Sequence, residues 1–111
     1  MIRLSVADTS FLYALFSRSD VFHKKARAAV TATTEGLVPS EIYAETVSLI
    51  HHRIGFQAAL AAGQWMRAQE GFRVRPPTPA VLDRAWGLLR RARGQLSYPD
   101  AIVLAWCRGR R

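Results

Sequence analysis

Ile2, Leu4 and Val6 alternate with Arg3 and Ser5 at the chain start, the period of a strand, which the pattern extends over residues 2–8. Asp8, Thr9 and Ser10 then present helix-capping side chains ahead of a short apolar helix over residues 11–16. A second helix is predicted from Ser19 or Asp20 to about Thr33, with Lys24, Lys25 and Arg27 on its wet side and Gly36 as its break. Leu37, Val38 and Pro39 make a second strand. Ser40 opens a third helix that runs to about His52 and closes at Gly55. Residues 56–70 form a fourth, alanine-rich helix stopped by Gly71. Phe72 and Val74 then read as the inward positions of a third strand, with Arg73 and Arg75 turned outward. Thr78 followed by Pro79 is a cap and a proline at the first helical position. Leu82, Ala85, Trp86 and Leu89 follow at helical spacing, and Gly94 ends that helix. Ser97 opens the last helix, over residues 98–107.

Strands alternating with helices define an α/β domain with a mainly parallel sheet, and no linker or repeat divides residues 1–111. Parallel sheets carry their sites at the carboxyl ends of the strands, which singles out Asp8.

Composition narrows the classes. With 50% hydrophobic and 22% charged residues the chain holds a core and is not a disordered tail. Its apolar run at residues 101–106 is too short to span a bilayer, and the start lacks the basic and apolar regions of a secretory signal. A cytoplasmic protein without a membrane partner is the expectation. One cysteine, Cys107, excludes an intrachain disulfide and a multi-cysteine zinc site; in its apolar run it reads as a small buried side chain. Sixteen Lys and Arg against eight Asp and Glu give a net charge of +8, mostly from arginine. Such a surface attracts polyanions, with nucleic acid first and an acidic protein second. Arg90, Arg91 and Arg93 form a close cluster and are the candidate RNA contacts.

Three of the eight carboxylates occupy unusual positions. Asp8 closes an apolar strand, Glu45 lies at the margin of the stripe formed by Ile42, Val47, Leu49 and Ile50, and Asp100 opens the apolar last helix. A carboxylate beside a core face is costly unless a cation or a donor satisfies it. Three from separate segments could share a hard divalent ion such as Mg²⁺ at the sheet edge. Each also has a plainer reading: Asp8 as a helix cap, Glu45 as a solvated helix residue, and Asp100 as the acid of a Ser97–Asp100 capping box. Glu41 competes with Glu45 one turn earlier. His51 and His52 point about 100° apart on a helix and cannot readily chelate one ion, so they read as surface residues, as does His23. The three tryptophans could stack on bases, but Trp86 and Trp106 fall in apolar helix patterns and are expected in the core. Ala58, Ala59, Ala61, Ala62 and Gly63 form a helix face suited to close packing, against either another helix of the chain or a second copy in a homodimer.

Three segments carry a resemblance to a known family. Residues 6–10, Val-Ala-Asp-Thr-Ser, resemble the opening strand and acidic motif of PIN domains. Residues 38–45, Val-Pro-Ser-Glu-Ile-Tyr-Ala-Glu, resemble their second motif: a strand, a serine and an acid further along the helix. Residues 96–101, Leu-Ser-Tyr-Pro-Asp-Ala, resemble the third. The order and spacing of the motifs are similar to those of VapC-type toxins of type II toxin–antitoxin pairs, over essentially the whole chain. The resemblance implies a three-layer α/β/α domain and an endoribonuclease dependent on Mg²⁺ or Mn²⁺, with RNA as substrate and a cognate antitoxin as partner. It implies Asp8, Glu45 and Asp100 as catalytic metal ligands and Ser10 as a small polar residue orienting the first aspartate. Members of the family usually continue into a further strand bearing a fourth acid in a Thr-x-Asp context. Nothing in this sequence matches that segment, so the implied sheet lacks its C-terminal strand or strands, and activity of the chain as written is open. The alternative is a catalytically degenerate PIN-like module that binds RNA or an antitoxin without cutting.

Overall fold

The computed structural model describes residues 4–32 and 35–108. The elements follow in the order β1 (Leu4–Val6), α1 (Thr9–Phe16), α2 (His23–Ala32), β2 (Glu35–Pro39), α3 (Ser40–Arg53), α4 (Phe56–Ala68), β3 (Phe72–Arg75), α5 (Pro79–Ala92) and α6 (Tyr98–Arg108). The expected strand positions at Ile2 and Arg3, the helix end at Thr33 and the terminal arginines lie outside the described residues.

The described strands form one parallel sheet in the order β1-β2-β3. Leu4 pairs with Glu35 and Val6 with Leu37, while Gly36 pairs with Phe72 and Val38 with Val74. Successive residues of the central strand face opposite layers. Leu37 packs with Val81, Ala85 and Leu88 of α5 and with Ala101, Ile102 and Ala105 of α6. Val38 packs on the other side with Leu12 of α1, Ile42 of α3 and Met66 of α4. The result is the expected three-layer α/β/α arrangement. Among the described residues no helix is long and apolar enough to cross a membrane.

Local chemistry explains most boundaries. The Asp8 carboxylate accepts from the Phe11 N–H at 2.8 Å and starts α1, and the Thr78 hydroxyl accepts from the Val81 N–H at 3.2 Å with proline at the head of α5. The Asp20 side chain accepts from the Phe22 N–H at 2.8 Å, forming a turn just before α2. The alanine face of α4 meets α3 within the chain: Gly63 faces Tyr43 and Val47, and Ala59 and Ala62 pack with Ile50.

Gly36 lies beyond the end of α2 and inside β2, where the Phe72 ring occupies the space a side chain would take. Three expectations are corrected. Ser40 is the first residue of α3 rather than its cap; its hydroxyl donates to Glu41 Oε1 at 2.9 Å. Trp86 is 55% exposed, because α5 buries the face defined by Val81, Ala85 and Leu88, and Trp86 lies about 100° round the helix from Ala85. Cys107 is exposed for a similar reason, one position beyond the Ala105–Trp106 face that α6 buries.

Candidate active site

The backbone delivers Asp8 directly from the sheet. Ala7 continues the pairing of β1 through its N–H to the Leu37 carbonyl at 2.8 Å, and Asp8 follows in extended conformation as the cap of α1. Its half-buried carboxylate spends one oxygen on the Phe11 N–H, and the positive end of the helix favours its charge. Cap and ligand are therefore compatible roles here, since Oδ2 remains without a hydrogen bond among the described residues.

Glu45 is exposed on the second turn of α3, and the Thr9 hydroxyl donates to its Oε1. This bond ties the N-terminus of α1 to α3 and holds the Glu45 side chain toward the residue that follows Asp8. Ser10, implied as the residue orienting Asp8, is exposed, and its hydroxyl makes no hydrogen bond among the described residues; the hydroxyl–acid contact formed here is that of Thr9 with Glu45. The signal for Thr9 was present in the sequence as a hydroxyl directly after Asp8, but nothing local indicated that it would reach α3. Glu41, the competing acid, is engaged by Ser40.

Asp100 is exposed in the first turn of α6, a helix that packs against β1. Its N–H donates to the Ser97 hydroxyl at 3.3 Å, the first half of a capping box. The reciprocal half is absent among the described residues, because the Asp100 carboxylate makes no hydrogen bond. Its charge is therefore not consumed by capping.

None of these acids forms an ion pair with a lysine or arginine among the described residues. Their oxygens are hard donors without a protein cation, a set suited in chemistry to Mg²⁺ or Mn²⁺. They do not form a closed cage: among the described residues no three His, Cys, Asp or Glu side chains stand close enough together to hold a metal ion. The convergence of three carboxylates on one ion expected from the sequence is not assembled here as direct ligation. An open arrangement suits an ion that retains several waters and touches few carboxylates.

Beside Thr9 lies a groove of about 380 Å³, lined also by Tyr13, Leu49 and Arg53. The Arg53 guanidinium stands 5.4 Å from the centroid of the Tyr13 ring, a planar cation supported on an aromatic at the groove wall. Sequence reasoning overlooked Arg53, which stands alone at the end of α3. Arg90, Arg91 and Arg93 are all exposed at the end of α5. A shallow depression of about 360 Å³ is lined by Gly87, Arg90 and Arg91, and the Arg91 guanidinium folds back over Gly87.

The fold is thus an α/β domain with a basic surface and three acids free of ion pairs among the described residues. The PIN domain family pattern matches residues 5–111, and the chain belongs to that family. Among solved structures it resembles the Mycobacterium tuberculosis toxin VapC20, described as a sarcin–ricin loop cleaving toxin, at 28% identity and a TM-score of 0.83. The match covers 96% of this chain and 82% of that one, which makes this a VapC-type PIN domain. Comparison with curated protein sequences gives no match.

Proposed function

We propose that this protein is the toxin of a toxin–antitoxin pair, an endoribonuclease that cuts RNA with the help of a hydrated Mg²⁺ or Mn²⁺ ion. The observation that carries the reading is the state of the three acids. Asp8, Glu45 and Asp100 come from three separate segments, and none is neutralised by a cation among the described residues. In a chain of net charge +8, carboxylates left without ion pairs stay available to a divalent ion. Asp8 through its free oxygen, Glu45 held by Thr9, and Asp100 would hold the ion largely through its bound waters rather than by three direct bonds. When bound, such an ion polarises the scissile phosphate and lowers the pKa of a coordinated water.

The residues of the chain supply the rest. Thr9 keeps Glu45 turned toward the head of α1, and Arg53 on its tyrosine support offers a phosphate contact in the adjoining groove. The arginines at the end of α5 extend the positive surface, so the RNA backbone is drawn in by charge before any base is read. A cytoplasmic setting and a cognate antitoxin that restrains the activity belong to the same reading. No nucleophilic side chain is needed. A PIN-like module that binds RNA without cutting is the second reading, favoured by the absence of a closed three-carboxylate cage among the described residues.

Incubating the protein with total RNA in Mg²⁺, in Mn²⁺ and in EDTA tests the two readings together. Discrete cleavage products with either metal and none in EDTA are expected. Salt-sensitive binding without any cleavage, in either metal, would move the assignment to the binding module.

A further inference from the structure

Trp86 is the most conspicuous side chain that the site described above does not use. It stands 55% exposed, while Trp106 is buried and Trp65 is wedged between Phe16 and Phe72. A bulky indole left in water forfeits much of the stabilisation that burial would give it. Its one ring contact among the described residues is with Tyr98, edge to face, with centroids 6.1 Å apart and planes at 84°. That geometry uses at most one π-face of the indole. Among the described residues no lysine or arginine lies over the ring either.

Position adds the second observation. Tyr98 stands in the first turn of α6, and its partly buried ring packs on the α5–α6 core while bracing the indole from the side. Along α5, Arg90 follows Trp86 by one turn on the same side, next to Arg91 and its depression over Gly87. An open aromatic face and two exposed arginines about one turn further on therefore follow one another along α5. A flat apolar face alternating with cations matches a nucleotide strand, whose bases stack and whose phosphates need neutralising.

We propose that Trp86, supported edge-on by Tyr98, is a stacking platform for an unpaired base of the RNA substrate, with the adjoining phosphate directed toward Arg90. The inference rests on the ribonuclease reading and deepens it.

The test compares a single-stranded RNA oligomer with an abasic oligomer of the same length, which keeps the phosphates and removes the stacking partner. Binding to each is measured for the wild type, Trp86→Ala and Trp86→Phe, with sedimentation of all three proteins. Trp86→Ala should weaken binding to the base-bearing oligomer by roughly 5- to 150-fold, the range for removing one base–aromatic stack. It should leave the abasic oligomer unaffected, and Trp86→Phe should restore most of the affinity. Equal effects on both oligomers, or no effect on either, would overturn the platform. So would conversion of a wild-type dimer to monomer by Trp86→Ala, which would make the indole a contact between copies. Wild-type protein that binds neither oligomer would remove the platform and the RNA reading together. Salt-sensitive wild-type binding that Trp86→Ala leaves unchanged would remove the platform alone.

Discussion

Gly36→Ala is a sharp test of how the sheet is packed. Gly36 lies in the central strand, its N–H donating to the Gly71 carbonyl at 2.6 Å, opposite Phe72 in register. A Cβ built there would stand 2.7 Å from both Cδ1 and Cε1 of the Phe72 ring and 3.2 Å from Cζ. The ring has little room to retreat. Phe72 is buried, its ring lies 5.7 Å from Trp65, and Trp65 in turn lies 5.6 Å from Phe16. Overpacking of this kind costs about 1–3 kcal/mol. Against it, replacing glycine reduces the freedom of the unfolded chain and returns about 0.4–1 kcal/mol. The expected net loss is about 1–2 kcal/mol, and at about 4–8 °C per kcal/mol for a domain of this size the midpoint should fall by roughly 5–15 °C. Urea and thermal unfolding followed by tryptophan fluorescence would measure it, since Trp65 sits in the affected stack. In the double variant Gly36→Ala/Phe72→Leu, the smaller side chain should absorb the new methyl, so the two effects should be clearly non-additive. A Gly36→Ala protein as stable as its parent, or additive effects in the double variant, would show that the stack does not confine the ring.

Two further predictions concern the site. Thr9→Val removes the hydroxyl that holds Glu45 while keeping the shape of the side chain. Metal-dependent cleavage should fall by about 10- to 100-fold, as when an outer hydrogen-bond partner of a metal ligand is removed, while the midpoint of unfolding shifts only slightly. Unchanged dependence on Mg²⁺ concentration would remove Thr9 from the site. Neutralising Arg90, Arg91 and Arg93 together should weaken RNA binding and flatten its log–log salt dependence by about 0.7 for each single-strand phosphate deprived of its cation. An identical slope in wild type and triple variant would place the RNA elsewhere, with the Arg53 groove the next surface to neutralise.

Much of this architecture was legible because local chemistry and tertiary packing agree. Thr78 and Pro79 mark the head of α5 without help from the rest of the fold, and alternation alone places Phe72 inward and Arg73 outward. The three acid-bearing segments were legible through their order. The failures share one cause, which is that a one-dimensional pattern does not reveal which neighbour fills a space. Gly36 reads only as the end of a helical pattern, and that Phe72, far along the chain, occupies its side-chain volume is not visible there. Trp86 lies in an apolar series, yet the centre of the buried face is set by Val81, Ala85 and Leu88, and the indole falls beyond its edge. Thr9 and Ser10 are equivalent in sequence; only the packing of α1 on α3 brings the Thr9 hydroxyl to Glu45. Likewise the capping-box spelling at Ser97–Asp100 does not disclose that only half of the box forms.

The central claim is that the three acids hold the metal that cuts RNA, and Asp8→Asn tests it most directly. Asparagine caps a helix about as well as aspartate, so α1 and the fold should persist with stability changed by no more than a few tenths of a kcal/mol. Only the charge is removed. The measurement is Mg²⁺-dependent cleavage of RNA by parent and variant, with binding to the same RNA followed in parallel. The account predicts that Asp8→Asn abolishes cleavage and binds the RNA as tightly as the parent or slightly more so. Equal cleavage by Asp8→Asn and its parent would contradict it.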